Sequence, residues 1–179
     1  MAFELTRDPP GIPDSELASR LFYDHATRVQ RYVRRHHPNV DADDVVSETF
    51  VIAWRRASEI ESDREVAWLI GVARNVVRNT TRSARRRHQY TEALISARPR
   101  ISIDFADAVL LSEDLEPFRT AFAHLSTDDQ EILLLAAWED LSGSDLGTAL
   151  DISAERANDR LYRARKRLRA RLPQHQEEP

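Results

Sequence analysis

The 179-residue chain has no cysteine, only 4 glycines, a single lysine and a single methionine, and aromatic residues make up 7% of it. Without cysteine there can be no disulfide, no thiolate nucleophile and no cysteine-ligated zinc. So little glycine, with few alternating segments, argues against sheets and for an all-α fold. No apolar run approaches the roughly 20 residues of a membrane span, and the start MAFELTRDPPGIPDSE lacks the basic and apolar parts of a signal peptide. A cytoplasmic protein without membrane insertion is therefore expected. The six histidines are scattered, and the carboxylates gather at helix starts, where capping explains them. No catalytic couple or metal-ligand set emerges, so neither enzymatic activity nor a cofactor is expected.

What is present is sorted arginine. The net charge is −4, yet WLIGVARNVVRNTTRSARRR, from Trp68 to Arg87, holds six arginines and no acid. Leu69, Val72 or Ala73, and Val76 recur at helical spacing as a buried face, while Arg74, Arg78 and Arg82 run i, i+4, i+8 on another and Arg85 to Arg87 extend the charge. A merely solvated face would interleave acids for i,i+4 pairing, so this one suits a polyanion. Trp68 and Asn75 are the non-ionic members able to stack on a base or read its edge. The preponderance of arginine over lysine follows equally from codon usage; the clustering is what informs.

The chain divides into a loose arm at 1–14, a helical domain at 15–88, a linker at 89–113, a second helical domain at 114–172 and a tail at 173–179. Helical periodicity from Ser15 through Ala18, Leu21 or Phe22, His25, Val29 and Tyr32 or Val33 should stop before His37-Pro38-Asn39. DADDVVSETFVIAWRR begins a second helix at Asp41, with acids at the positive end of the dipole and Arg55 and Arg56 at the negative end. Its apolar lines, Val46-Phe50-Ala53 and Val45-Thr49-Ile52, are wide enough to serve both a core and a partner. A polar loop, 57–64, leads to the basic helix. In the linker, Ile101, Ile103 and Phe105 alternate with polar residues, which suggests an extended segment; Asp104, Asp107, Glu113, Asp114 and Glu116 make it acidic.

In the second domain Phe118, Ala121 or Phe122, and Leu125 form one helix, and Thr127-Asp128-Asp129-Gln130 reads as a capping box for the next. Ser142 caps a short helix ending near Leu150, and Ser153 a long one from Ala154 to about Arg171, a helix-turn-helix pattern. On the last helix Ala157, Leu161, Ala164, Leu168 and Leu172 make a core stripe. Arg156, Arg160, Arg163, Arg167 and Arg171 run one residue earlier, about 100° away, as a phosphate stripe. These residues alone admit two readings: a polymerase subunit with two DNA contacts, or a stand-alone helix-turn-helix regulator that binds an operator.

Together these motifs resemble the extracytoplasmic-function group of bacterial sigma factors. DADDVVSETFVIAWRR is similar to the family's core-polymerase-binding helix, WLIGVARNVVRN to the helix after it, and LSTDDQEILLLAAWEDLSGSDLGTALDISAERANDRLYRARKRLRARL to its second domain, with the RAR signature at Arg163-Ala164-Arg165. The resemblance implies a transcription initiation factor whose partners are core RNA polymerase, through its beta-prime clamp and beta flap, and promoter DNA. An anti-sigma factor is commonly a further partner in the family. Implied polymerase contacts are Asp43, Asp44, Val46, Glu48, Thr49, Phe50, Ala53 and Trp54. For the minus-ten element they are Ser58, Ile60, Ser62, Trp68, Arg74, Asn75, Arg78, Arg82 and Arg85. For the minus-thirty-five element they are Ser153, Glu155, Arg156, Asn158, Asp159, Arg160, Arg163 and Arg167. The start of the recognition helix, Glu155 to Asp159, departs from the family's usual glycine, threonine, valine and lysine, which bears on promoter preference. Gly147 stands where alanine is usual and should weaken its helix by about 0.5 to 1 kcal/mol; Asp151, in place of the usual glycine, can still take a left-handed turn.

Overall fold

The structure, a computed structural model, describes residues 15–89 and 115–173. Within them the chain forms seven α-helices: α1 (Ser15–His36), α2 (Ala42–Arg55), α3 (Glu65–Gln89), α4 (Glu116–Ala123), α5 (Thr127–Trp138), α6 (Gly143–Leu150) and α7 (Ala154–Arg169). A single 3₁₀ turn, Ala57–Glu59, lies between α2 and α3. None of the described helices is long and apolar enough to cross a membrane. The arm, the alternating stretch at Ile101 to Phe105, the linker acids Asp104 to Asp114 and most of the tail fall outside the described residues.

Helix ends follow local chemistry. The Asp41 carboxylate accepts from the backbone N–H groups of Asp43 (2.9 Å) and Asp44 (3.2 Å), satisfying two orphan donors of α2. At α5 the cap is Ser126, whose hydroxyl accepts from Asp129 N–H at 3.1 Å, so the capping box expected to open at Thr127 is corrected by one residue. Gln130 is thereby free to act elsewhere, and its amide donates to the carbonyls of Phe122 (2.9 Å) and Leu125 (3.3 Å), closing the α4–α5 turn. Ser153 caps α7 by accepting from Arg156 N–H.

Helices α1, α2 and α3 pack on one another as one bundle, and α7 packs on α5 and α6 in a second. In the first bundle Leu21, Val29, Tyr32 and Val33 of α1 turn inward, whereas Phe22 stays 46% exposed, which resolves the two alternatives left by the periodicity. On α2 the inward line is Ala42, Val45, Thr49 and Ala53: Val45 and Thr49 come from one expected line, Ala53 from the other and Ala42 from neither. Helix α3 is buried over an unusually wide arc, from Leu69 and Ile70 through Val72 and Ala73 to Val76 and Val77. It needs that width because α6 packs on its other side, so that one apolar cluster runs through both bundles.

Two close approaches depend on missing Cβ atoms. A Cβ on Gly71 of α3 would sit 3.2 Å from the Ala149 carbonyl oxygen of α6. A Cβ on Gly147 would sit 2.9 Å from the Ile152 carbonyl oxygen and 3.1 Å from Ala154 N, because the turn between α6 and α7 folds back over it. Asp151 supplies the left-handed corner of that turn (φ 57°, ψ 48°). Gly147 therefore does not simply weaken α6; in this chain the turn into α7 lies so close that a Cβ would force the backbone at Ile152 and Ala154 to shift. Gly147→Ala, favourable on helix propensity by about 0.5 to 1 kcal/mol, should instead destabilise the protein by about 1 to 3 kcal/mol through overpacking. Chemical denaturation checks this, and a stabilised variant would contradict it.

Candidate nucleic-acid interface

The basic stripe of α3 divides along its length. Arg74 is only 6% exposed, and its guanidinium grips Glu131 of α5 side-on, Nε to Oε1 at 2.6 Å and Nη2 to Oε2 at 3.0 Å. Arg78 lies 3.6 Å from the same carboxylate but stays half exposed, and Arg82 faces solvent. Arg85 lies in α3 beyond the described side chains. The expectation that Arg74 belongs to an open phosphate face is thus corrected: in this arrangement its partner is a carboxylate of the second bundle. Burial by itself would raise the Glu131 carboxyl, yet the hydrogen bonds and charge of Arg74, aided by Arg78 and Arg160, hold it below the ordinary carboxylate range. Removing one member of a pair this dry costs about 3 to 5 kcal/mol, because the other charge is left uncompensated.

Of the residues expected at the minus-ten element, the structure brings Trp68 and Asn75 to one cleft beside the N-terminal part of α3. Trp68 is half-buried with the Arg56 guanidinium 5.5 Å from its ring centroid, and Arg56 is itself held by Glu59. Asn75 is exposed, as are Ser58 and Ser62, whereas Ile60 is half-buried. Trp68, Asn75, Arg56 and Arg64 line one wall of an open cleft of about 810 Å³, and Ser153 and Arg156 at the start of α7 line the other. Side chains of both bundles therefore face one another across a single gap. Glu65, buried at the first turn of α3, accepts from Arg20 (3.1 Å) and His25 (2.9 Å) of α1. These bonds, Arg20 foremost, keep its carboxyl low despite burial.

Helix α7 presents Ala157, Leu161 and Ala164 to the core as expected. Its arginine stripe, however, runs along the flank nearest α5. Arg160 donates to the Asp128 carbonyl (2.9 Å), with the Asp128 carboxylate 3.4 Å away, and Arg167 donates to both oxygens of Asp129 at 2.9 and 3.0 Å. Arg156 and Arg163 are exposed, and so are Glu155, Asn158 and Asp159. The side facing most directly away from the core adds Tyr162, 69% exposed, which the arginine pattern passes over. An aromatic between arginines is its only signal.

A third surface lies on α1 and α2. Trp54 (42% exposed), Phe22 and Tyr23 form an apolar patch with the half-buried Phe50, whose ring meets Phe22 edge-on at 5.1 Å. Asp43, Asp44 and Glu48 are exposed and Val46 is half-buried. Thr49 and Ala53, expected on this face, are completely buried and pack the bundle interior instead; that expectation is corrected. Sequence reasoning misses Phe22 and Tyr23, because the periodicity of α1 speaks only of its core.

Family models match twice along the chain: Sigma-70 region 2 over residues 21–87 and Sigma-70 region 4 over residues 115–168. The ECF RNA polymerase sigma factor SigL of Mycobacterium tuberculosis is 30% identical over 162 residues, 89% of this chain and 90% of the relative. RNA polymerase sigma factor NccH of Alcaligenes xylosoxydans xylosoxydans is 30% identical over 152 residues, 78% of this chain and 77% of its own. Among solved structures, the sigma factor RpoE in complex with the anti-sigma factor NepR from Bartonella quintana superposes with a TM-score of 0.58 at 22% identity, over 86% of this chain and 94% of that one, a likeness of fold. CnrH in complex with the cytosolic domain of CnrY gives a TM-score of 0.54 at 25% identity, over 87% and 92%.

The junction of the two bundles makes stability depend on acid. Burial, with the neighbouring His36 charge adding, pushes the His37 imidazole from 6.5 down to about 4, and its buried Nε2 has no hydrogen-bond partner. Between those two values the unfolded chain binds a proton that the folded protein refuses. Stability should therefore fall as pH drops through that window, by at most about 1.4 kcal/mol per pH unit for this single proton. Urea denaturation across the window checks the slope, and His37→Gln should flatten it; an unchanged slope in the variant would refute the assignment.

Proposed function

Since the chain belongs to the sigma-70 family, with region 2 and region 4 both present, we propose that each region works through the surfaces just described. The protein is an alternative sigma factor of the extracytoplasmic-function group, which binds core RNA polymerase and directs it to promoters. The observation that carries this reading is the presence on one chain of two helical modules, each with its own arginine-bearing helix, beside an apolar patch that neither DNA contact uses. A stand-alone operator-binding regulator would need α6 and α7 but leaves α1 to α3 without a role.

The α1–α2 patch around Trp54 and Phe50, with exposed acids at the start of α2, suits the clamp of the polymerase. Aromatic anchors supply the energy and the acids supply register. The Ala57–Arg64 loop with Trp68, Asn75, Arg78 and Arg82 suits the minus-ten element as its strands separate, since unstacked bases need a stacking surface and backbone cations. Helix α7 suits the major groove of the minus-thirty-five duplex. Arg156 and Asn158 are placed to read base edges, Arg163 to hold phosphate. Arg160 and Arg167 are braced by Asp128 and Asp129 and act chiefly as fixed charges. The linker, the beta-flap contact and an anti-sigma partner are carried from the family resemblance. We assign the protein no catalysis of its own, and the cytoplasm as its place of work, where polymerase and chromosome meet.

Gel shifts with duplex promoter DNA test the reading directly: specific binding should require core polymerase, and tight specific binding by the protein alone would sink it. Trp54→Ala should weaken capture of core polymerase by about 2 kcal/mol, the loss of an aromatic anchor. Arg156→Ala and Asn158→Ala should relax minus-thirty-five selectivity by about 1 to 3 kcal/mol each. Arg163→Ala should instead weaken all sequences alike and lower the salt slope by about one. Equal behaviour of the two groups would refute the division of labour.

A further inference from the structure

We propose that Arg20 and His25 of α1, acting through Glu65, are positioning residues for the minus-ten contact: they fix the rotation of α3 at its first turn and so aim Trp68 and Asn75. The part played in promoter opening rests on the sigma reading above; the strut itself rests on how α1 meets α3. Glu65 is the first residue of α3 and is only 8% exposed. The Arg20 guanidinium holds both of its oxygens, Nη1 to Oε2 at 3.1 Å and Nη2 to Oε1, and Oε2 also accepts from His25 Nε2 at 2.9 Å. Asp24, one turn further along α1, steadies Arg20 from 3.6 Å.

A bidentate contact between guanidinium and carboxylate fixes direction as well as distance, which an apolar contact does not. The first turn of α3 has little else to orient it. Ala67 is buried but small, and Val66 and Trp68 are half-buried. At roughly 100° per residue, Trp68 and Asn75 lie about 60° and about 80° to the same side of Glu65, so any rotation of α3 about its axis moves them together. The 57–64 loop is tied to the same turn: Trp68 N–H donates to the Arg64 carbonyl, and Arg64 N–H to that of Glu61, each at 2.9 Å. Arg56, just before the loop, lies 5.5 Å from the Trp68 ring centroid. One carboxylate therefore sets the place of a stacking ring, a side-chain amide and the loop beside them. Among the described residues the strut makes no hydrogen bond to Phe50 or Trp54 of the apolar patch, nor to α7. Its loss should leave polymerase capture in place and impair opening of the minus-ten element.

The test uses the full-length protein, alone and as holoenzyme. Arg20→Ala, at a half-exposed side chain, and Glu65→Gln, which keeps the carboxylate's shape, each remove the charged fork. In the free protein, amide hydrogen exchange across residues 57–68 should quicken by about ten-fold while α5 and α7 keep their parent rates. In holoenzyme on a promoter carrying 2-aminopurine in the minus-ten element, the opening rate per bound complex should fall by about ten-fold, within the worth of one stacked base. Affinity for core should stay within about two-fold of the parent, and the double variant should be no worse than Glu65→Gln alone, since both changes remove one contact. Arg20→Lys, which keeps a single bond, should open promoters faster than Arg20→Ala. If Glu65→Gln does not fold, Arg20→Ala carries the reading. Unchanged exchange in the folded variants overturns the strut. Quickened exchange with unchanged opening overturns its role at the minus-ten element, and so does a fall in opening no larger than the loss of core capture. A parent protein that opens no promoter with core strikes the sigma reading and the minus-ten role with it, and the exchange result then judges the strut by itself.

Discussion

A guanidinium withdrawn from water must take a counter-charge with it, and at Arg74 that requirement fastens the two halves of the molecule. Glu131 is the only carboxylate within reach of Arg74 among the ion pairs of the described residues, and it comes from a segment 57 positions away. Once α5 is brought that close, α6 must lie on α3. The small residue at Gly71 and the broad apolar arc of α3 then follow as conditions of the packing rather than as separate features. Glu139 repeats the same logic against α1, where His36 and Arg35 surround it. Hydrophobic burial supplies most of the adhesion across such a junction, while the buried pairs fix its register, since a shifted interface would strand their charges.

This arrangement gives the arginines of a sigma factor unequal roles. Among the described residues some are paired with carboxylates and others are exposed, and the difference does not follow their spacing. Arg160 and Arg167 are held within their own domain, so their contacts survive any movement of one domain relative to the other. Arg74 is held across the junction, by a carboxylate of the other bundle. Arg78 stands between, half exposed and at the edge of the Glu131 carboxylate. The apolar patch on α1 and α2 lies apart from this chemistry, on a face of the first bundle that carries exposed aromatic rings rather than arginines.

Much of the fold is legible in the residues alone. The helix starts at Asp41 and Ser153 are readable because capping is local: a side-chain oxygen two or three residues from the donors it satisfies. The buried stripe of α7 is readable because one period governs sixteen residues. The start of α5 is ambiguous by one residue because Ser126 and Thr127 are both competent caps, and the choice falls to Gln130, which is needed to close the turn from α4. Thr49 and Ala53 fall on the wrong face in a sequence reading because two neighbouring apolar lines on α2 cannot be ranked without the helices that pack on them. Tyr162 and Phe22 escape notice for a related reason, since an aromatic residue announces burial in a pattern and reveals exposure only in space.

The sequence by itself determined which segments are helices, where most of them start, and that basic charge is concentrated on two of them, because each of these depends on residues within a few turns of one another. It also carried the family, whose two regions stand in order along the chain. The tertiary structure alone decided what each arginine faces. A guanidinium on a helix surface has the same sequence signature whether its partner is phosphate, water or a distant carboxylate, and only the meeting of α3 with α5 assigned Arg74 to Glu131.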